Sequence, residues 1–114
     1  MPNRDKHSLL AILDAIQTIE TALSHTDSSM AFSSDRIVFD AVLMNFIVIG
    51  EMAKRLHDEI KQHHPHIKWD KISDFRNIIA HDYLGVDADE VWQIIRSDLP
   101  TLRTAIQSML LEIH

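Results

Sequence analysis

The sequence predicts an all-α fold, an up-and-down bundle of four to five helices in a single domain that spans residues 1–114. Hydrophobic residues make up 46% of the 114 residues, which is enough for the core of one domain. Only 2 glycines and 3 prolines are present, so the chain lacks the turn residues that an all-β sandwich or barrel requires. Apolar residues recur instead at helical spacing along most of the chain.

The first predicted helix runs from about Asp5 to Ser24, and the polar stretch His25–Ser29 that follows is expected to be a loop. The second predicted helix runs from about Ser34 to His63, with Ser33 or Ser34 as its N-cap. Its apolar residues cover more than one face, so it needs two packing partners, one of which can be a second subunit. Gly50, in the middle of this helix, predicts the close approach of a neighbouring helix.

The histidine-rich segment 63–66 contains a proline and is expected to end the long helix. A third helix is predicted from about Asp70 or Ser73 to Tyr83, with Gly85 as its C-terminal stop. Asp87 is the expected N-cap of a fourth helix. Pro100 either kinks that helix or opens a fifth segment capped by Asp98, and an apolar helix from Leu102 to Ile113 ends the chain.

Composition limits the functional classes. The chain has no cysteine, which excludes disulfides and thiolate metal sites and favours a reducing compartment. The N-terminal residues do not form a signal peptide, and the longest apolar stretch, Ala41–Ile49, is too short to span a bilayer. We therefore expect a cytoplasmic protein with no membrane partner. The net charge of -6 argues against a non-specific nucleic-acid coat but allows an enzyme that touches RNA at one local site.

The segment from Ser73 to Tyr83 carries the candidate chemistry. On a helical wheel of about 100° per residue, its apolar residues share one face, while Asn77 and His81 fall together on another. Arg76 and Tyr83, seven residues apart, are nearly eclipsed on this wheel. A histidine titrates near neutral pH and can exchange a proton with a ribose 2′-hydroxyl or a leaving oxygen, and an arginine can bind and neutralise a phosphate. The plain alternative is that Arg76 forms a salt bridge with Asp74 or Glu51 and that His81 is an interface group.

The segment Arg76-Asn77-Ile78-Ile79-Ala80-His81 resembles the Arg-x4-6-His motif of HEPN domains, with a polar residue directly after the arginine. His81-Asp82-Tyr83 matches the His-x-Tyr extension of the HepT-like toxins. The resemblance covers most of the chain, because Ala41–Leu56 is similar to the first signature helix of that family. Residues on both sides of the motif also fit, namely Trp69 ahead of it and Val86, Asp87, Val91, Trp92, Ile95, Asp98, Leu99 and Pro100 behind it.

This resemblance implies a HEPN-like helical protein that dimerises through apolar helix faces and cleaves RNA without a metal or other cofactor. Arg76 and His81 map onto the catalytic pair of the family, and Asn77 maps onto its polar assistant. The HepT-like toxins belong to type VII-like toxin–antitoxin systems, in which a cognate nucleotidyltransferase antitoxin transfers AMP from ATP onto the tyrosine of the His-x-Tyr element, here Tyr83. The expected partners are therefore an RNA substrate, this antitoxin, and a second copy of the chain in a homodimer or a dimer-based heterocomplex.

Alternatives to this interpretation remain open for the function of the domain and for its histidine-rich segment. The domain can be a non-catalytic helical module that docks a nucleotidyltransferase and presents its substrate, or a purely structural helical dimer. His63, His64 and His66 can bind a metal or, more plainly, form a polar helix end. Trp69 and Trp92 are interpreted as core or interface anchors rather than platforms for RNA bases, and Asp40 and Glu51 as ordinary carboxylates of the long helix.

Overall fold

Seven α-helices and one short 3-10 helix account for most of residues 2–113, the part of the chain that the computed structural model describes, with side chains from Arg4 onward. The helices are α1 (Pro2–Ala22), α2 (Ser29–Ser34), α3 (Arg36–Arg55), α4 (Asp58–Gln62), α5 (Trp69–His81), α6 (Ala88–Ser97) and α7 (Leu99–Glu112). The 3-10 helix, Tyr83–Gly85, lies between α5 and α6. No strand occurs within the described range, so the predicted all-α class is confirmed, although with more and shorter helices than expected.

The core lies where α1 packs against α3 and α7. Its fully buried side chains include Leu9, Ile12, Ile16, Ile19, Val42, Leu43, Ile49, Ile106 and Met109. These residues follow the helical spacing on which the sequence prediction depended. On its other side α3 packs against α5, so α3 has the two packing partners that its broad apolar surface predicts. In the described range no helix is both long and apolar enough to cross a membrane.

The short helix α2 was not predicted. Ser28 is its N-cap and accepts a hydrogen bond from the backbone N–H of Ala31 at 3.1 Å, while Asp35 rather than Ser33 or Ser34 caps α3. Phe32 of α2 is fully buried, with its ring 5.7 Å from that of Trp92. This contact with α6, remote in sequence, stabilises one turn of helix that local periodicity does not reveal.

The long second helix predicted to reach His63 ends at Arg55 instead. Leu56 and His57 are extended, and α4 begins at Asp58. The carboxylate of Asp5, on α1, accepts a hydrogen bond from the backbone N–H of His57 at 3.1 Å and also lies 3.0 Å from the ring Nδ1. Because Leu56 is buried at this bend, the break is stabilised by packing and by a hydrogen bond to a residue 52 positions away.

The start of α6 is as predicted, since the Asp87 carboxylate accepts a hydrogen bond from the backbone N–H of Asp89 at 3.0 Å. The predicted stop of α5 at Gly85 is wrong: α5 ends at His81, and Asp82 leaves the helical conformation with φ -146° and ψ 56°. Gly85 closes the 3-10 turn without a positive φ. Pro100 opens α7 rather than kinking α6, and Asp98 precedes α7 without a side-chain cap hydrogen bond.

Candidate functional site

The candidate site lies on α5 where that helix packs against α3. A Cβ atom built on Gly50 would be 2.4 Å from Cβ and 2.8 Å from Cγ of Arg76, a separation that real Cβ atoms do not tolerate. Glycine is therefore needed at position 50 because the stem of Arg76 crosses the backbone of α3 at this point. The close helix approach predicted from Gly50 is confirmed.

The Arg76 side chain is fixed by two polar neighbours. Its Nε lies 2.6 Å from Oε1 of Glu51, although the N–H bond does not point at that oxygen, so the contact is an ion pair rather than a hydrogen bond. Its Nη1 donates a hydrogen bond to Oδ1 of Asn77 at 3.1 Å. Arg76 is 31% exposed and Glu51 38% exposed, so the guanidinium is oriented yet still accessible from solvent.

This geometry selects between contacts that the sequence left open. Of the two carboxylates considered for Arg76, Glu51 forms the salt bridge. Asn77, expected to be the polar assistant of the motif, makes no hydrogen bond to His81 within the described residues; its side-chain oxygen accepts a hydrogen bond from the Arg76 guanidinium. The salt bridge is compatible both with a structural role for Arg76 and with a phosphate-binding role, because a half-exposed pair is easily exchanged for another anion.

His81 occupies the last turn of α5 and is exposed. Five residues on an α-helix amount to about 7.5 Å of rise and about 140° of rotation, and no hydrogen bond joins His81 to Arg76 among residues 4–113. The two groups therefore do not form a directly bonded pair within one chain, and only a ligand long enough to bridge them could contact both.

Tyr83 does not lie where the helical wheel placed it. Because α5 stops at His81, the tyrosine sits on the 3-10 turn and points towards the N-terminal part of α3. Its hydroxyl donates a hydrogen bond to the Asp40 carboxylate and accepts one from Nε of Arg36 at 2.8 Å. The Arg36 guanidinium also lies 5.2 Å from the centre of the tyrosine ring. The predicted alignment of Tyr83 with Arg76 is wrong.

Electrostatics at this second cluster favour the neutral phenol. The hydrogen bond to Asp40 is the main reason that the pKa of Tyr83 is raised, partial desolvation adds to it, and Arg36 opposes it. Tyr83 and then Asp40 raise the pKa of Arg36, which stays a cation. At neutral pH the cluster is thus a protonated phenol between a carboxylate and a guanidinium.

The two clusters lie at opposite ends of an antiparallel helix pair. Arg76 meets α3 at residues 50 and 51, whereas Tyr83, further along the chain, meets α3 at residues 36 and 40. The eleven residues from Asp40 to Glu51 correspond to about 16 Å of helix. His81, two residues before Tyr83, belongs in sequence to the Tyr83 end of α5.

Sequence reasoning gave too little weight to Asp40 and Glu51. Each was interpreted as an ordinary carboxylate of the long helix, yet each contacts one of the predicted site residues. Two signals were present in the sequence: Arg36 and Asp40 have the i,i+4 spacing of a helical ion pair, and Glu51 directly follows the glycine that marks the close helix contact.

The remaining candidates have structural contacts. The ring Nε2 of His64, a buried residue, lies 3.1 Å from the Glu112 carboxylate, which ties the end of α7 to the segment after α4. Trp92 is buried against Phe32, as expected of a core anchor. Two cavities of about 520 and 440 Å³ lie along the other side of α5, lined mainly by residues of α5, α6 and α7, and Arg76, Asn77, His81 and Tyr83 line neither of them.

These features define a small all-α protein with an accessible arginine, an asparagine and a histidine on one helix and a hydrogen-bonded tyrosine just beyond it. Residues 12–109 match the family described as Ribonuclease HepT-like, and the chain belongs to this family. The family resemblance recognised from the motif is therefore confirmed.

Curated relatives carry ribonuclease names. A Methanocaldococcus jannaschii protein named "Gamma-glutamylcyclotransferase and putative RNase" is 30% identical over 102 residues, which cover 90% of this chain and 46% of that protein, so the chain spans under half of its length. A Thermococcus cleftensis protein named "Probable ribonuclease HepT" is 28% identical over 96% of this chain and 98% of its own length. A "Putative RNase" of M. jannaschii is 25% identical over 100% of this chain and 94% of its own. No solved structure matches the chain.

Proposed function

We propose that the protein is a metal-independent endoribonuclease toxin in which Arg76 and His81 are the catalytic residues. The observation that carries this proposal is the contact at Gly50, which fixes the stem of Arg76 against α3 while the side chain stays 31% exposed. A guanidinium fixed in this way is preorganised for a phosphate, since little side-chain freedom remains to be lost on binding. Membership of the HepT-like family and the ribonuclease names of the relatives support the same activity.

In the proposed reaction a ribose 2′-hydroxyl attacks the adjacent phosphorus, and the bond to the 5′-oxygen of the next nucleotide breaks. His81 exchanges the proton with one of these two oxygens, as a general acid or base. Arg76 exchanges Glu51 for the phosphate and neutralises the charge that builds on its oxygens in the transition state. Asn77 stays hydrogen-bonded to the guanidinium and keeps it oriented.

We propose that the active form is a homodimer, or a heterocomplex built on that dimer, in which two copies form a common cleft. Ile37 is 82% exposed and Met44 60% exposed, seven residues apart on the outer face of α3. Exposed apolar side chains at this spacing form a stripe of the kind that helices bury against a partner. Glu51, the ion-pair partner of Arg76, follows Met44 on α3 by the same seven-residue spacing, so pairing through this stripe places the Arg76 region of each copy beside the proposed interface.

A cognate nucleotidyltransferase antitoxin silences the proposed enzyme by transferring AMP to Tyr83. Support comes from the location of this tyrosine, partly exposed on a turn at the end of α5 and two residues after His81. A nucleotide attached there adds bulk and negative charge beside the histidine, and both exclude an RNA phosphate from it. Mass spectrometry after incubation with the partner and ATP is expected to find one or more AMP groups on Tyr83 and none on the Tyr83→Phe variant.

Cleavage of RNA by the purified protein in EDTA tests the catalytic proposal directly. Arg76→Ala and His81→Ala are each expected to lower the rate by a factor of about 10²–10⁴. The matched controls, Arg4→Ala and His25→Ala, alter exposed residues outside the site and should cut RNA like the wild type. If the wild type does not cut RNA, the alternative of a non-catalytic module that docks a nucleotidyltransferase is favoured. Full activity in His81→Ala would refute the assignment of the histidine.

A further inference from the structure

The cluster of Arg36, Asp40 and Tyr83 has no part in the proposed cleavage step. It lies about three helical turns along α3 from the Glu51 contact of Arg76, by the rise of an α-helix. The Tyr83 ring packs against Phe39 at the edge of the core, but the side chains of Arg36 and Asp40 are 66% and 49% exposed and bury little apolar surface. A carboxylate that accepts the hydrogen bond of a phenol, with a cation on the same phenol oxygen, is instead an arrangement that suits chemistry at that oxygen.

We propose that Asp40 is the base that takes the phenolic proton when Tyr83 is nucleotidylated, and that Arg36 binds the phosphoryl group as it is transferred. This inference rests on the proposed silencing of the protein by a nucleotidyltransferase. It adds that the target protein supplies part of the machinery for its own modification. Asp40 and Arg36 lie one turn apart on α3, so a single helix presents both groups to the tyrosine.

The proposed transfer forms one bond and breaks one bond at the α-phosphorus of ATP. The oxygen of Tyr83 attacks the α-phosphorus of an ATP molecule held by the partner enzyme, and a new O–P bond forms. The bond from the α-phosphorus to the oxygen that bridges to the β-phosphorus breaks, and pyrophosphate leaves with that electron pair. The phenolic proton passes along the existing hydrogen bond to the Asp40 carboxylate. No other reactant is needed.

The charges of Asp40 and Arg36 favour transfer of AMP to the Tyr83 oxygen. Before transfer, Asp40 accepts the only proton of the phenol, and Arg36 donates to the same oxygen at 2.8 Å. After transfer, that oxygen is an ester without a proton, and the attached phosphate carries a negative charge. Once Asp40 has returned its proton to water, the phosphate repels this carboxylate. The same phosphate attracts the Arg36 guanidinium, which then anchors the nucleotide.

The first test is the rate of AMP transfer from ATP to the intact chain by the proposed cognate nucleotidyltransferase. Asp40→Asn removes the base and is expected to slow transfer by a factor of about 10²–10⁴. Arg36→Gln should slow transfer as well, and Asp14→Asn and Arg4→Gln are matched controls on exposed positions of α1. Normal transfer to Asp40→Asn overturns the role of Asp40 alone. Absence of AMP on the wild type overturns the proposed silencing, and the second test then decides the role of Asp40.

The second test needs no partner, because Tyr83 is the only tyrosine in the chain. N-acetylimidazole acetylates phenols, and hydroxylamine removes the acetyl group from tyrosine but not from lysine, so the labile fraction reports Tyr83. If Asp40 takes the proton, the wild type reacts at a rate nearly independent of pH around neutrality, and Asp40→Asn reacts more slowly, in proportion to the hydroxide concentration.

If Asp40 acts only through its charge, Asp40→Asn is expected to speed the acetylation of Tyr83 rather than slow it. Loss of that charge lowers the pKa of Tyr83, increases the phenolate fraction and speeds acetylation. Faster acetylation of Asp40→Asn, or a pH profile of the same shape as the wild type, therefore overturns the proposal. Asp82→Asn is the local control, because this carboxylate lies next to Tyr83 in sequence, faces Gly85 and makes no hydrogen bond to the phenol in the described part of the chain.

Discussion

The two ends of the α3–α5 pair position their polar groups by different means. At one end the stem of Arg76 is pressed against the backbone of Gly50, with no room for a single additional carbon atom. At the other end the Tyr83 hydroxyl is held by hydrogen bonds to Arg36 and Asp40, whose side chains are 66% and 49% exposed. Steric packing therefore fixes Arg76, whereas solvent-accessible polar contacts hold the hydroxyl of Tyr83.

This difference separates a rigid end from an adjustable one. Exposed ion pairs contribute about 0.2–1 kcal/mol, so a docking enzyme can open the contacts of Tyr83 at little cost. A packed helix contact that is disturbed by one methyl group costs about 1–3 kcal/mol and shifts the groups around it. Rigidity suits the proposed role of Arg76, because a catalytic arginine works by preorganisation. Exposed contacts suit the proposed role of Tyr83, because a second protein has to reach it.

The largest effect is expected on dimerisation, from a substitution at Met44, which lies on α3 between the contacts of Tyr83 and those of Arg76. A carboxylate placed there by Met44→Glu would be buried without a partner in the proposed dimer, at a cost of about 3–5 kcal/mol. Sedimentation analysis is expected to show a dimeric wild type and a monomeric variant with an unchanged helical spectrum. Met30→Glu, also at an exposed methionine but on α2, should leave the dimer intact. A monomeric wild type would contradict the proposed common cleft.

The second largest effect is expected at the close contact between Gly50 and Arg76. Gly50→Ala places a methyl group against the stem of Arg76 and is expected to lower the free energy of unfolding by about 1–3 kcal/mol, even though alanine favours the helix. Displacement of the guanidinium by about 1 Å is expected to slow RNA cleavage by a factor of about 10². Denaturant titration and a cleavage assay measure the two effects.

A double-mutant cycle identifies the cause of this destabilisation. In an Arg76→Gly background the atoms that meet the new methyl group are gone, so Gly50→Ala should be neutral or stabilising there. Equal destabilisation in both backgrounds would show that the close contact with Arg76 is not what requires a glycine at position 50.

A smaller effect is expected at Glu51. Glu51→Gln removes the charge beside Arg76 but keeps an oxygen that can accept a hydrogen bond, so the loss of stability should stay below about 1 kcal/mol. RNA should bind more tightly because one negative charge is removed beside the phosphate site. Binding measured against salt concentration checks this prediction, and weaker binding of RNA would show that Glu51 supports the site rather than competing with the substrate.

The smallest effect concerns the titration of Tyr83. The ordinary pKa of a tyrosine is about 10. Because the pKa of Tyr83 is raised, its phenolate forms only at a higher pH than that of a free tyrosine. Asp40→Asn should lower this pKa, because it removes the carboxylate that stabilises the neutral phenol, whereas Glu51→Gln should leave it unchanged. Ultraviolet absorbance of the single tyrosine measures both. A shift caused by Glu51→Gln would show that the two ends are electrostatically coupled.

Much of the fold follows from local patterns. The apolar spacing of α1, the cap at Asp87 and the close approach at Gly50 each depend on residues within one or two turns, and all three agree with the structure. The family followed from a motif of eight residues and its flanks. The assignment of Arg76 and His81 as catalytic residues stays a prediction.

The features that the sequence did not predict depend on distant residues. The break at Leu56 and His57 is stabilised by Asp5, 52 positions earlier, and Tyr83 is oriented by Asp40, 43 positions earlier. The short α2 is stabilised by the burial of Phe32 against α6. A helical wheel treats each segment as isolated and continuous, so it extended α5 to Tyr83 and placed that side chain beside Arg76.

The antiparallel course of α3 and α5 also matters for how such a gene can diverge after duplication. The contacts of Arg76 with residues 50 and 51 and those of Tyr83 with residues 36 and 40 lie about 16 Å apart along α3, so substitutions in one group need not be compensated in the other. Under the proposed function, two duplicated copies can retain the cleavage chemistry around Arg76 while substitutions at positions 36, 40 and 83 fit each copy to a different nucleotidyltransferase.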